Sequence, residues 1–291
     1  MTNQANIRLG IAGWNFADWR KGAFYPERLP QKQELNYASR TLGTIEINST
    51  FYGHQKAESF ANWAAETPAG FRFSVKGHQG ITHIKRLKEV DEALAFFFGS
   101  GVMALGARLG PFVWQLPPNM KFDAERTERF LSLLPQTPKA LIEIAEKAVS
   151  ERRTLVADAT GIETVRHAIE VRNTSFADPA FVALLRNYNV ALVTADTAEW
   201  PAMDTTADFA YLRLQGAPGS DHYEDADLDR WANRLKALSE GRPIPDGKFI
   251  GDGATDGKPR DVFAYFVSTD KVHAPRNAMA VMERLGIRPP E

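Results

Sequence analysis

Charged and amide side chains recur two residues apart at the ends of four short apolar stretches. The stretches are Ile45-Glu46-Ile47-Asn48, Phe73-Ser74-Val75-Lys76, Ile169-Glu170-Val171-Arg172 and Leu212-Arg213-Leu214-Gln215. Because side chains of a β-strand alternate between two faces, the polar residues of each stretch share one face. In a closed barrel of parallel strands, these polar faces would meet at the carboxyl-terminal mouth, where barrel enzymes keep their active sites.

These residue types fit an enzyme that acts on a small anionic or phosphorylated substrate. The Glu46 carboxylate can act as a general base or as a metal ligand. Lys76 and Arg213 can bind the anion, since the arginine guanidinium matches phosphate and carboxylate in geometry and the lysine adds a positive charge. We expect Glu170 and Arg172 to form an ion pair that orients these groups. The alternative is an internal salt-bridge network with a structural role only, because buried charges must be paired.

Further residues near the predicted strand ends extend this candidate site. His83 follows one strand in the predicted loop Gly77–Lys85 and could transfer protons or bind a metal. Tyr52 and Trp14 could stack a planar ligand. Lys76 could instead form a Schiff base, as in class I aldolases. The complete prediction comprises Glu46, Lys76 and Glu170 as catalytic residues, with Asn48, Tyr52, His83, Arg172, Asp196, Arg213 and Trp14 as substrate-binding residues.

Eight stretches with strand character alternate with helical patterns along the chain. The predicted strands are Ile7–Ala12, Thr44–Asn48, Phe71–Lys76, Phe112–Leu116, His167–Arg172, Val190–Ala195, Phe209–Leu214 and Val262–Val267. This alternation predicts an α/β fold, a TIM-type (β/α)8 barrel that spans residues 1–291 as a single domain. The alternative, an open doubly wound sheet, lacks its glycine fingerprint after the first strand. Asp178-Pro179 and Asp227 are predicted helix starts.

Composition narrows the chemistry that the chain can perform. The 291 residues are 44% hydrophobic, carry a formal net charge of -1 and include no cysteine. Thiol nucleophiles, disulfides, thiolate zinc sites and iron–sulfur clusters are therefore excluded. No organic cofactor motif is present, but the carboxylates leave a divalent cation such as Mg²⁺ as an option. The scattered histidines argue against zinc.

The same composition bears on location and partners. No apolar stretch reaches the ~20 residues of a membrane span, and the first residues are polar, so we expect a soluble cytoplasmic protein with no membrane partner. The near-zero net charge indicates no overall attraction to nucleic acid. A small anionic molecule is the expected partner, and the sequence does not predict the oligomeric state.

Several segments resemble one known family. They are Gly10-Ile11-Ala12-Gly13-Trp14, Thr44 to Tyr52, Phe73-Ser74-Val75-Lys76, Ile81-Thr82-His83, Gln115-Leu116-Pro117-Pro118, Glu170-Val171-Arg172, Tyr211-Leu212-Arg213-Leu214 and Asn277-Ala278. Together they resemble domain-of-unknown-function family 72, the YecE-like family. The resemblance implies a TIM-type barrel without a settled activity. This chain has Gln215-Gly216 where the family commonly has His-Gly, and Val267-Ser268 where it commonly has two asparagines, so altered or lost activity is one implication.

Two other functions remain open at this stage. A nucleic-acid-binding or phosphodiester-processing protein that resembles endonuclease IV barrels is suggested by the basic residues Lys85, Arg86 and Lys88 beside aromatic ones. It predicts binding that depends strongly on salt. A ligand-binding barrel without catalysis is the third hypothesis, because the two departures from the family pattern fall at the predicted mouth.

Overall fold

Parallel strands in the described residues form a closed barrel in the chain order β1 to β8. The computed structural model describes residues 6–148, 155–196, 202–216, 223–244, 246–253, 255–267 and 271–290. The strands are β1 Ile7–Ala12, β2 Thr44–Ile47, β3 Arg72–Lys76, β4 Leu109–Gln115, β5 His167–Glu170, β6 Val190–Ala195, β7 Phe209–Leu214 and β8 Asp261–Phe266. The predicted TIM-type (β/α)8 barrel is therefore confirmed.

Helices alternate with these strands. They are α1 Glu34–Thr41, α2 Ser49–Tyr52, α3 Ala57–Glu66, α4 Asp91–Gly99, α5 Ala124–Ser132, α6 Pro138–Ala145, α7 Pro179–Asn187, α8 Asp225–Ser239 and α9 Ala274–Leu285. A π-helix covers Gly80–Ile84, in the segment that the sequence predicts as a loop. Within the described ranges, no helix combines the length and the apolar character that a membrane crossing requires.

Strand β4 begins three residues earlier than predicted, and a β-bulge explains why. The register with β3 pairs Phe73 with Leu109 but Val75 with Phe112, so β4 carries an extra residue there. Pro111 has no amide hydrogen for the ladder and is tolerated at such a bulge. A Cβ atom on Gly110 would approach the Phe73 carbonyl oxygen to 2.7 Å, which favours glycine at this close crossing.

The chain divides into two compact units, which we describe one at a time. The continuous unit is Glu46–Phe176, and the two-segment unit joins Met1–Ile45 to Ala177–Glu291. The prediction of a single domain over residues 1–291 stays a prediction.

Helix starts in the two-segment unit follow from capping. Asp178 accepts a hydrogen bond from the Ala180 amide at 2.8 Å, and Pro179 opens α7, as predicted. The prediction of a start at Asp227 is wrong, because α8 begins at Asp225. Asp227 is the third helical residue, and its side chain accepts from the Glu224 amide in a capping box.

Aromatic rings fill the core of the continuous unit around a buried histidine. Phe98 packs on Phe112 at 5.2 Å, and the Phe112 ring stacks on His167 at 5.4 Å. The Trp114 indole donates to His167 Nδ1 at 3.1 Å. His167 Nε2 lies 2.7 Å from the Pro135 carbonyl oxygen and donates to it, because a carbonyl can only accept. The geometry thus selects one neutral tautomer of His167, and burial lowers its pKa to about 4.

This buried histidine makes the stability of the fold depend on pH. The unfolded imidazole titrates near 6.5, so between about pH 6.5 and pH 4 the unfolded state binds the extra proton. We therefore expect His167 to contribute fully above pH 6.5 and to lose about 3 kcal/mol of unfolding free energy as the pH falls to 4. Urea denaturation across this range measures the loss.

Two variants separate this titration from simple loss of packing. His167→Gln keeps one donor and one acceptor but removes the proton site, so its stability should vary less with pH over this window. Phe112→Leu trims the stacked ring without removing a titratable group, and it should lower stability at every pH while keeping the wild-type slope. A wild-type slope in His167→Gln would contradict the assignment.

Candidate functional site

Hydrogen bonds join four polar side chains into a row across the carboxyl ends of three consecutive strands. Lys76 Nζ donates to Gln115 Oε1 at 2.9 Å, and Gln115 Nε2 donates to Glu170 Oε2 at 2.9 Å. Arg172 Nε donates to Glu170 Oε1 at 2.9 Å. We call Lys76, Gln115, Glu170 and Arg172 the polar row. It brings together three of the predicted site residues.

The strands themselves place the polar row. Lys76, Gln115 and Glu170 are the last residues of β3, β4 and β5, and the register sets Gln115 directly opposite Glu170. All three are buried, with Glu170 only 1% exposed. A charge removed from water must be hydrogen-bonded or paired. The amide of Gln115 meets this need on both sides, since it accepts from the lysine and donates to the carboxylate.

Arg172 ends the row at the protein surface. Its side chain is 39% exposed, and its ion pair with Glu170 is the one that the sequence predicts. The bond to Glu170 uses Nε, and the Nη1 and Nη2 groups make no hydrogen bond with any described residue. The guanidinium is therefore oriented at one edge, and its two amino groups can receive an anion.

Phe51 contacts both the polar row and His83. It lies on α2, and Lys76 Nζ sits over its ring at 4.3 Å from the centroid. The His83 ring contacts Phe51 edge-on at 4.9 Å, and Tyr52 contacts it edge-on at 5.0 Å. Thr50 donates to the carbonyl of Lys76 at 2.6 Å and thereby ties α2 to β3. Phe51 is itself buried, and its ring contacts two of the predicted site residues beside it.

The segment that carries His83 is strained. The π-helix over Gly80–Ile84 is followed by positive φ angles at Arg86 (51°), Leu87 (67°) and Glu89 (49°). L-residues rarely adopt positive φ, and a bulky one such as leucine is an outlier there. Arg86 anchors the turn by donating to the Asn119 carbonyl at 2.7 Å. Single-turn π-helices and strained backbone both cluster at functional sites, so this strain supports a role for the segment.

His83 has one ring nitrogen without a described partner and a lowered pKa. Its Nδ1 lies 2.9 Å from Thr82 Oγ1, and its Nε2 has no hydrogen-bond partner in the described part of the chain. Partial burial lowers the pKa of the imidazole, and the nearby charges of Lys76 and Arg172 lower it further against the opposing effect of Glu170. His83 is therefore neutral at pH 7 and can accept a proton.

Glu46 and Asn48 lie on and just after β2. The Glu46 side chain is fully buried, as expected for an inward-facing strand residue. Asn48 Oδ1 is buried, and no described residue provides it with a hydrogen bond. A buried amide oxygen without a partner is uncommon and is a natural acceptor for a ligand donor. The catalytic role of Glu46 stays a prediction.

Asp196 in the two-segment unit supports a loop. Its Oδ1 accepts from the backbone amides of Gln215 at 2.5 Å and Gly216 at 3.1 Å, and its Oδ2 accepts from the Tyr223 hydroxyl at 2.5 Å. Burial raises the pKa of this carboxyl, and these hydrogen bonds oppose the rise. Because Gln215 contributes its backbone here, the family's histidine at this position would preserve the same contact.

Two more predicted residues belong to this unit. Arg213 is buried on β7, where the register sets it opposite Ala195 and Tyr265. The Trp14 carbonyl accepts from the Tyr25 hydroxyl at 2.5 Å. The roles of Trp14, Asp196 and Arg213 in substrate binding stay predictions. The second departure from the family pattern is Val267-Ser268. The Val267 amide donates to the Leu214 carbonyl at 2.8 Å, and Ser268 lies outside the described residues.

The two-segment unit also contains a cavity of about 540 Å³. Four of its lining residues, Ala207, Asp208, Pro259 and Arg260, directly precede β7 and β8. The cavity therefore lies at the amino ends of strands, where barrel proteins carry residues for stability rather than catalysis. None of the predicted site residues lines this cavity, and the candidate site lies instead at the carboxyl ends of the strands.

Metal binding gains no support from side-chain placement. Within the described ranges, no three His, Asp or Glu side chains are grouped so that they could hold a metal ion. The Mg²⁺ option stays a prediction.

Relatives of this chain carry no assigned activity. UPF0759 protein YunF of Bacillus subtilis is 32% identical over 80 residues, which cover 28% of this chain and 27% of that protein. UPF0759 protein YecE of Escherichia coli is 29% identical over 111 residues, 38% of each chain. The chain thus matches less than half the length of these curated relatives.

Solved structures resemble the fold over almost its full length. The DUF72 family protein TM1631 of Thermotoga maritima has a TM-score of 0.69 and 22% identity, with 97% of this chain and 99% of that chain covered. The DUF72 family protein EF0366 of Enterococcus faecalis has a TM-score of 0.63 and 16% identity, with coverage of 97% and 98%. At these identities the likeness shows the fold alone.

The family match is nearly as long as the chain. Residues 8–291 match the family described as "Protein of unknown function DUF72". This extent confirms the resemblance that the strand-end segments carry. The chain belongs to the DUF72 family of proteins, whose function is not assigned.

Proposed function

We propose that the continuous unit holds the active site of an enzyme that acts on a small anionic substrate, including phosphate esters. The observation that carries the proposal is the oriented guanidinium of Arg172, whose two Nη groups are available at the carboxyl end of β5. Barrel enzymes build their active sites at this end of the strands. A planar fork with two available amino groups matches the oxygens of phosphate or carboxylate.

The other residues of the polar row hold the Arg172 guanidinium in place and add a positive charge. Glu170 holds one edge of the guanidinium, and Gln115 in turn holds Glu170. Lys76 adds a second positive charge, buried and kept in place by Gln115 and by the face of Phe51. A cation in a poorly solvated place attracts an anion more strongly than an exposed one, because the local dielectric constant is low. Substrate binding would then cost little reorganisation.

His83 is the proposed general base. Its neutral imidazole has one nitrogen, Nε2, without a partner among the described residues, and a base must reach the proton that it removes. Glu46 is wholly buried and suits a positioning role beneath the site. Asn48 offers an acceptor for a substrate hydroxyl or amine. We place the enzyme in the cytoplasm, where small phosphorylated molecules are made and retained.

The structure favours this proposal over nucleic-acid binding for the basic loop. Lys85 donates to the Glu89 carbonyl at 2.8 Å, and Arg86 donates to the Asn119 carbonyl. Two of the three basic residues therefore hold the strained turn instead of forming an open basic surface. Salt-sensitive binding of a short oligonucleotide, lost on changing all three residues to glutamine, would reverse this preference.

Replacing Arg172 should weaken anion binding. Sulfate keeps its charge from pH 5 to 8, and we expect it to raise the Tm of the wild-type protein. In Arg172→Gln we expect sulfate affinity to fall by at least about tenfold, since hydrogen bonds to charged groups contribute about 1.5–3 kcal/mol. Isothermal titration calorimetry measures the affinity directly.

Arg129→Gln is the matched control for this experiment. Arg129 lies in the same unit and pairs with Asp91 at 3.4 Å, but both side chains are mostly exposed. This variant removes the same charge and should retain wild-type sulfate binding. Equal losses in both variants would show a general charge effect and would overturn the site.

Replacing His83 should affect conversion of the substrate more than its binding. A panel of phosphate monoesters and small carboxylates, followed by ³¹P and ¹H NMR, should reveal a compound that the wild-type protein converts. His83→Gln should abolish conversion while retaining at least half of the ligand-induced rise in Tm. Because the pKa of His83 is lowered in the free protein, kcat/KM should stay high below pH 6.5 and fall only as the imidazole becomes protonated.

Binding of a panel member without conversion would show a ligand-binding barrel and overturn the enzymatic assignment. A rate unaffected by His83→Gln would instead remove His83 from the mechanism.

A further inference from the structure

The large hydrophobic side chains that are exposed in the described residues are Tyr52 and Ile84, each 74% exposed. Both flank the same contact. Tyr52 follows Phe51 in the chain, Ile84 follows His83, and the rings of Phe51 and His83 touch at 4.9 Å. These two exposed side chains thus lie next in sequence to the proposed base, His83, and to Phe51, the ring that contacts Lys76. Single exposed apolar residues need no explanation, but two at one site do.

Neither side chain is exposed merely because it is mobile. The Tyr52 ring packs edge-on against Phe51 at an interplanar angle of 85°, and Phe51 itself is buried. The Tyr52 hydroxyl makes no hydrogen bond with any described residue. Ile84 is the last residue of the π-helix, directly before the strained turn that Arg86 anchors. The exposure of both therefore follows from backbone positions that other contacts hold.

We infer that the substrate anion carries a planar aromatic or heteroaromatic group, which packs against Tyr52 and Ile84 while the anion binds Arg172. This inference rests on the proposed function. A tyrosine face and a branched aliphatic side chain are surfaces on which a flat ring buries apolar area.

The size of the patch favours a small molecule over a protein partner. A stable protein interface covers about 800 Å² on each partner. Here the apolar surface is limited to two side chains, and the neighbouring Ser49, Lys85 and Lys88 are exposed and polar. A single ring matches two side chains in extent.

Paired ligands test the inference. Phenyl phosphate and methyl phosphate carry the same anion and differ in the planar ring. Calorimetry should show that the wild-type protein binds phenyl phosphate about tenfold more tightly, as expected for one stacking contact. Tyr52→Ala should reduce this ratio toward one while methyl phosphate affinity stays unchanged, and Tyr52→Phe, which keeps the ring, should preserve the ratio. Ile84→Ala should lower the ratio by a smaller factor.

The outcomes separate this inference from the proposed function. Methyl phosphate binding that requires Arg172, together with a wild-type ratio near one, would overturn the planar group and leave the anion site intact. If the Tyr52→Ala, Ile84→Ala double variant kept the wild-type preference for phenyl phosphate over methyl phosphate, the planar-group inference would also be overturned. Failure of both phosphates to bind would overturn both proposals. Concentration-dependent dimers that the double variant abolishes would assign the patch to a second copy of the chain.

Discussion

The buried carboxylate of Glu170 is the constraint on which the candidate site depends. At 1% exposure it has almost no water to solvate it, so the protein must supply its hydrogen bonds. Gln115 supplies one oxygen with a donor, and Arg172 supplies the other. Gln115 can face Glu170 only because the β4–β5 register pairs these two residues. The register of the strands thus fixes the direction of the Arg172 guanidinium.

A second set of contacts connects this electrostatic requirement to the segment that carries His83. Lys76 Nζ lies over the face of Phe51, and the His83 and Phe51 rings meet nearly at right angles. Lys76 and Arg172, the two cations of the proposed anion site, also help to lower the pKa of His83. Burial is the larger cause of the lowered pKa, and the two cations add to it. A bound anion would reduce this effect and raise the imidazole pKa, which couples substrate binding to proton uptake.

Alternation of residue types was sufficient to predict the strands and the charged residues at their ends. Lys76, Glu170 and Arg172 follow from period-two patterning, because the inward face of a strand turns polar at its end. Gln115 has the same position on β4, but the predicted strand continues to Leu116, and the predicted site does not include Gln115. The strained turn could not be predicted, since positive φ angles at Leu87 and Glu89 oppose the preferences of those residues. The bulge at Gly110-Pro111 likewise depends on a close crossing with β3.

The barrel fold does not identify the chemistry by itself. TM1631 and EF0366 share the fold with this chain at 22% and 16% identity, and a barrel scaffold supports many unrelated reactions. The evidence for function comes from features that folding alone does not require. A core of branched and aromatic residues would stabilise the barrel without a buried lysine, a leucine held at positive φ or an amide oxygen that no described residue hydrogen-bonds. Each of these carries a cost, and all three lie in the segments that surround Phe51 or close β2 and β3. Their concentration there is the physical argument for a site at these strand ends.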